Sequence, residues 1–93
     1  MPNIEYRMHC RLSESQSPVE LHAQVGIYLS AYRVTLGVEN TDGKLWQSYM
    51  VTAVLPESDA MHDLFWQMAQ HVKDYFSLSE VSVVTQAGSV DTL

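Results

Sequence analysis

From Ile4 to Leu12 the chain alternates without a break, with Ile4, Tyr6, Met8, Cys10 and Leu12 on one parity and Glu5, Arg7, His9 and Arg11 on the other. A period of two held over a whole segment marks a strand with one dry and one wet face. Any fold of this chain must therefore cover one side of that strand. Ser13 to Pro18 then supplies polar loop chemistry, with proline near its end.

The segment from Val19 to Ala31 fits two templates. As a strand it sets Val19, Leu21, Ala23, Val25, Ile27, Leu29 and Ala31 on one face. As a helix it makes a stripe of Leu21, Val25, Tyr28, Leu29 and Tyr32, and Ser17-Pro18-Val19-Glu20 resembles a capping box with proline at the first helical position. The helix leaves Val19, Ala23 and Ile27 off the stripe and carries Gly26 and several β-branched residues, all unfavourable to it. The expectation is a strand. Pairing Leu12 with Val19 across the loop then sets Arg11 opposite Glu20, a favourable cross-strand pair, and His9 opposite His22.

Tyr32 to Glu39 continues as strand after a bulge near Ser30. Asn40-Thr41-Asp42-Gly43 is a hairpin signal, with Gly43 suited to the left-handed position of the turn, and it sets Val38 opposite Trp46 and Val34 opposite Met50. Lys44 to Leu55 is apolar on both parities: Trp46, Met50 and Val54 on one, Leu45, Tyr49, Val51, Ala53 and Leu55 on the other. A strand with two apolar faces wants cover on both. Ser58 or Asp59 then caps a helix in which Met61, Leu64, Phe65, Met68, Val72, Tyr75 and Phe76 recur at helical spacing. Val81, Val83 and Val84 suggest a short last strand, and Gln86 to Leu93 reads as a loose tail.

The expected architecture is an α+β antiparallel sheet in β-β-β-β-α-β order with one main helix packed on one face, formed by residues 1–93 as one domain. If Val19 to Ala31 is helical, the order becomes the ferredoxin-like βαββαβ. Both versions leave one sheet face without an internal cover. A chain of 93 residues also has a thin core, hiding only roughly 60–65% of its unfolded surface. Self-association is therefore a ready way to bury more.

Charge and cysteine content exclude several classes of function. The net charge of -6, from 5 Lys+Arg against 11 Asp+Glu, opposes attraction to nucleic acid or anionic membrane. The single cysteine, Cys10, allows no internal disulfide, and neither a membrane span nor a signal peptide is visible, so the expected location is the cytoplasm. Cys10 itself lies on the apolar parity, where a thiol is inert core.

Catalytic motifs are missing: there is no Gly-rich phosphate loop, nucleophile elbow, His-Glu-x-x-His or Cys-x-x-Cys. No catalytic residue, metal ligand or cofactor is nominated. His9 and His22 would be cross-strand neighbours, but a zinc site needs a third ligand. His62 and His71 fall on opposite sides of the helix. Glu57, Asp59 and Asp63 complement the helix dipole.

Trp66 lies off the apolar stripe beside His62 and Lys73, where a large aromatic suits an interface. Leu45, Tyr49 and Val51 are assigned to the sheet face opposite the helix, rimmed by Arg33, Thr35 and Gln47, a patch that suits a protein partner or a two-fold homodimer. The leading expectation is a non-catalytic protein-binding module: a small inhibitor, immunity or adaptor protein of the kind carried by phages or plasmids. The alternatives are a small dimeric ferredoxin-like enzyme or ligand-binding domain, with a pocket lined by Tyr28, Tyr32, Trp46 and Met50, and a structural subunit of a larger assembly.

Overall fold

The computed structural model describes residues 2–42, 46–85, 88 and 90–93, and of residues 40–42 the backbone only. Five strands and two helices follow one another as β1 (Asn3–Ser13), α1 (Pro18–Leu29), β2 (Arg33–Asp42), β3 (Trp46–Pro56), α2 (Asp59–Tyr75), β4 (Ser82–Thr85) and β5 (Val90–Thr92). All neighbours in the sheet are antiparallel, in the order β2-β3-β1-β4-β5. A helix between two strands returns the chain parallel to its start, so α1 lays β2 parallel to β1 with a slot between them. The β2–β3 hairpin sends β3 back into that slot. Helix α2 repeats the crossover and places β4 on the other side of β1. This is close to the ferredoxin-like βαββαβ pattern with one strand added.

The single-helix order is thereby corrected, and the reason lies in α1. Ser17 caps it, its Oγ accepting from the amides of Val19 at 3.2 Å and Glu20 at 3.4 Å, with Pro18 opening the first turn. Leu21, Val25 and Leu29 are buried on one stripe, while Val19 and Ile27, counted as core by the strand template, are 78% and 64% exposed. Burial of a stripe at helical spacing outweighs the propensity cost of Gly26 and the β-branched residues, which is only a few tenths to about 1 kcal/mol each. The Leu12–Val19 pairing and the facing of His9 and His22 disappear with the strand.

One core joins both helices to one face of the sheet. Tyr6, Met8, Cys10 and Leu12 of β1 and Tyr49, Val51, Ala53 and Leu55 of β3 meet Leu21, Val25 and Leu29 of α1 and Phe65, Met68, Ala69 and Val72 of α2. The register pairs Ile4 with Leu55, Tyr6 with Ala53, Met8 with Val51 and Cys10 with Tyr49, so these side chains share a face. Helix α2 is capped by Ser58, whose Oγ accepts from the Met61 amide at 3.1 Å. Each large side chain buried here adds roughly 1.5–3 kcal/mol.

The face assignment of β3 is the reverse of the sequence expectation. Tyr49 and Val51, expected opposite the helices, lie beneath them at 8% and 1% exposure. Their alternates Trp46 and Val54, at 44% and 36%, face the other way with Met50. That second face, which also carries Arg7, His9 and Arg11, has no helix over it among the described residues. Leu45 and the Gly43 turn lie outside the described residues. The hairpin pairs Val38 with Tyr49 and Val34 with Ala53, not with Trp46 and Met50, because β2 runs on to Asp42, which takes the place opposite Trp46; a register shift follows between Val38 and Thr41. Past Gln86, where a loose tail was expected, β5 pairs with β4, and Leu93 donates to the Val81 carbonyl at 2.8 Å.

Candidate functional site

Strand β4 pairs with β1 only from Tyr6 to His9, the last partner being Ser82 opposite His9. Beyond that point the end of β1 and the connection leaving α2 diverge. The gap between them is a cleft of about 610 Å³, lined by His9, Arg11, Ser13 and Gln16 on one side and by Phe76 to Glu80 and Ser82 on the other, with Glu39, Trp46 and Ser48 along the sheet.

The polar groups of the cleft come from the wet parity of β1 and from strands brought beside it. His9 Nδ1 lies 2.6 Å from Glu39 Oε1, both side chains being 32% exposed. Glu39 lies within the register shift of β2, between Val38 and Thr41, and reaches His9 across β3, where Ser48 is small enough to let it pass. With the carboxylate as acceptor, the imidazole proton sits on Nδ1 and Nε2 is left as the basic nitrogen. One strand pair along, the Arg11 guanidinium sits over the Trp46 ring, 5.7 Å from its centroid. A base, a cation and a flat aromatic wall thus share one opening.

The opposite wall begins where α2 ends. Ser77 takes the left-handed conformation, φ 55°. Its amide donates to the Asp74 carbonyl at 3.2 Å and that of Leu78 to Lys73 at 2.9 Å, closing a Schellman turn in which serine stands where glycine is usual. Gln16 joins the two walls: its Oε1 accepts from the Ser13 amide at 2.9 Å and its Nε2 donates to the Phe76 carbonyl at 2.8 Å. Cys10 also borders the cleft, but burial pushes its thiol up to about 12, helped by the Glu39 charge. It is a core thiol and no nucleophile.

The residues singled out from sequence sit elsewhere. His62 and Trp66 do come together, their rings stacked at 4.0 Å and 17°, but Trp66 also meets Tyr6 edge-on at 6.2 Å and packs against the core. Lys73 follows seven residues after Trp66, in the last turn of the same helix. Of Tyr28, Tyr32, Trp46 and Met50, the cleft uses Trp46. Tyr28 instead rests against His71 between the helices, centroids 5.3 Å apart. Among the described residues no group of three His, Cys, Asp or Glu is placed to hold a metal, and no helix is long and apolar enough to cross a membrane. His9 was considered in sequence only as half of a metal pair. Glu39 carries no signal at all, since its approach depends on strand order.

No protein-family profile matches the chain, and no curated protein is recognisably similar to it in sequence. Solved structures do share its fold. A phage SAM lyase in complex with S-methyl-5'-thioadenosine superimposes with a TM-score of 0.65 at 10% identity, over 98% of this chain and 88% of the lyase. A de novo designed protein, Foldit4, gives 0.70 at 15% identity, over 91% and 97%. SnoaB, a cofactor-independent oxygenase from Streptomyces nogalater, gives 0.55 at 17% identity, over 89% of each chain. At these identities the likeness establishes the fold alone. The expectation of a non-catalytic inhibitor, immunity or adaptor module is corrected in its premise: it was tied to a single-helix sheet, whereas the ferredoxin-like alternative is the architecture observed, one that a lyase and an oxygenase also use.

Proposed function

We propose that this chain is a small enzyme that removes a proton from a planar, weakly acidic organic substrate bound in the cleft. The observation that carries the reading is the 2.6 Å contact between His9 and Glu39 at the mouth of a cleft large enough for such a molecule. His9 Nε2 takes a C–H or O–H proton from the substrate, and the electron pair stays behind as an enolate or phenolate. Arg11, two residues along the same face and so roughly 7 Å away, stabilises that negative charge, and Trp46 provides the surface on which the ring lies. Glu39 holds the tautomer and supports the imidazolium that forms. Positioned general bases contribute roughly 10²–10⁴ in rate. The step needs only side chains of this chain, and the existence of a cofactor-independent oxygenase on a fold of this kind supports its feasibility.

The test is deuterium wash-in at the activated carbon of β-tetralone in D2O, followed by proton NMR. Wash-in above the buffer rate that falls on the order of 100-fold in His9→Ala supports the reading. A rate equal to buffer, together with no shift of the His9 ring signals by β-tetralone or by S-methyl-5'-thioadenosine, sinks it.

The second copy of a two-fold dimer is the proposed cover for the open sheet face away from the cleft, where Val54 and Val90 are exposed at 36% and 63%. Light scattering of the purified protein decides this: a strict monomer at high concentration removes the dimer. The buried lone thiol Cys10 fits a cytoplasmic location.

A further inference from the structure

We infer that Gln16 is a positioning residue that sets the width of the cleft, an assignment that rests on the cleft being the working site. Gln16 follows β1 in the loop to α1, and its backbone amide closes a turn onto the Ser13 carbonyl at 3.0 Å. Its side-chain amide is a two-ended tie: Oε1 accepts from the Ser13 amide, on the wall made by β1, and Nε2 donates to the Phe76 carbonyl, on the wall made by the end of α2, across 60 positions of sequence. Ser13, Gln16 and Phe76 all line the cleft.

The two ends need opposite hydrogen-bonding characters, an acceptor and a donor, held a fixed distance apart on one planar group. Glutamine supplies both. Leucine of similar size supplies neither, and an ionised glutamate supplies the acceptor while setting a negative oxygen against the Phe76 carbonyl. Phe76 is the C-cap of α2, so its carbonyl belongs to the orphan set at a helix end and has no partner within the helix. The wall after it continues through Ser77 in its left-handed conformation, and so has little freedom to find another anchor. Releasing the tie moves the Phe76–Glu80 wall relative to His9 and Arg11, which stand on β1 where it is paired with β3.

The test compares wild type with Gln16→Leu and Gln16→Glu, reading amide hydrogen exchange across residues 76–80 and urea stability in parallel. In both variants at neutral pH, protection of that stretch is expected to fall on the order of ten-fold, more than the change in global stability accounts for. In Gln16→Glu it recovers as pH drops through the carboxylate range, because the protonated acid donates its O–H to Phe76; in Gln16→Leu it does not. With β-tetralone, Gln16→Leu is expected to raise KM several-fold and leave kcat nearly unchanged. Unaltered exchange at 76–80 in both variants, or no recovery of the glutamate variant at low pH, overturns the assignment. The exchange arm is read without any ligand, so a failure of β-tetralone wash-in in wild type refutes the proposed reaction and leaves the tie to be judged by exchange.

Discussion

His9 and Glu39, 30 residues apart in sequence, bring Nδ1 and Oε1 within 2.6 Å of each other across the intervening strand β3. A histidine so held has one tautomer. When the His9 ring is in its neutral form, nitrogen-15 NMR is expected to show the proton on Nδ1 and Nε2 bare, whereas Glu39→Ala reverts towards the mixture of an unconstrained ring. Finding the neutral ring protonated on Nε2 in the wild type removes His9 as the base in the proposed reaction.

The left-handed serine makes a prediction of opposite sign. Ser77→Gly is expected to stabilise the domain by about 0.5–1 kcal/mol, since glycine adopts this conformation without steric penalty and the Schellman bonds are untouched. Ser77→Val should destabilise it by about 1–3 kcal/mol. Urea denaturation measures both.

Helix α1 can be tested residue by residue. Leu21→Ala removes a side chain with no exposed surface and is expected to cost about 2–5 kcal/mol. Ile27→Ala, at a position 64% exposed, should stay within about 0.5 kcal/mol. Equal costs at the two positions would restore the strand reading of this segment.

The two helices are also tied by a surface network. Tyr75 donates its hydroxyl to Glu20 Oε1 at 2.6 Å, Gln24 Nε2 donates to the same oxygen at 2.9 Å, and His71 Nε2 meets Gln24 Oε1 at 2.7 Å. With the Gln24 amide turned so that Nε2 meets Glu20, the atom facing His71 is Oε1, which can only accept, so His71 is the donor in that last contact. The Tyr75 hydroxyl, and after it Gln24, holds the Glu20 carboxyl below its ordinary range, and the bond to Glu20 pushes the Tyr75 phenol above its own. A lowered carboxyl contributes stability above its unfolded pKa and loses it as pH falls through the folded value. A raised phenol contributes below its unfolded pKa and loses it as pH rises through the folded value. The melting temperature gap between wild type and Tyr75→Phe should therefore be widest near neutral pH and close at both ends. A gap that does not vary with pH would show that the network is not what the tyrosine contributes.

Sequence alone determined the elements whose pattern admits one reading. The alternation from Ile4 to Leu12 allows only a one-sided strand. The stripe from Met61 to Phe76 allows only a helix, and a cap at Ser58 or Asp59 is equally local, the structure using Ser58. One uncovered sheet face follows from counting covers. Tertiary structure decided the rest, for identifiable reasons. Val19 to Ala31 satisfies two periods at once, and only the presence of β3 and α2 to receive Leu21, Val25 and Leu29 selects the helix. Strand β3 is apolar on both parities, so its own residues cannot say which face meets the helices; the register against β1 does, and it puts Tyr49 and Val51 inside. The cleft exists because β4 stops pairing at His9, and its dyad exists because β3, inserted between β1 and β2, presents a serine where Glu39 must cross. Neither condition is a property of any local stretch of chain, since each arises only when strands distant in sequence become neighbours.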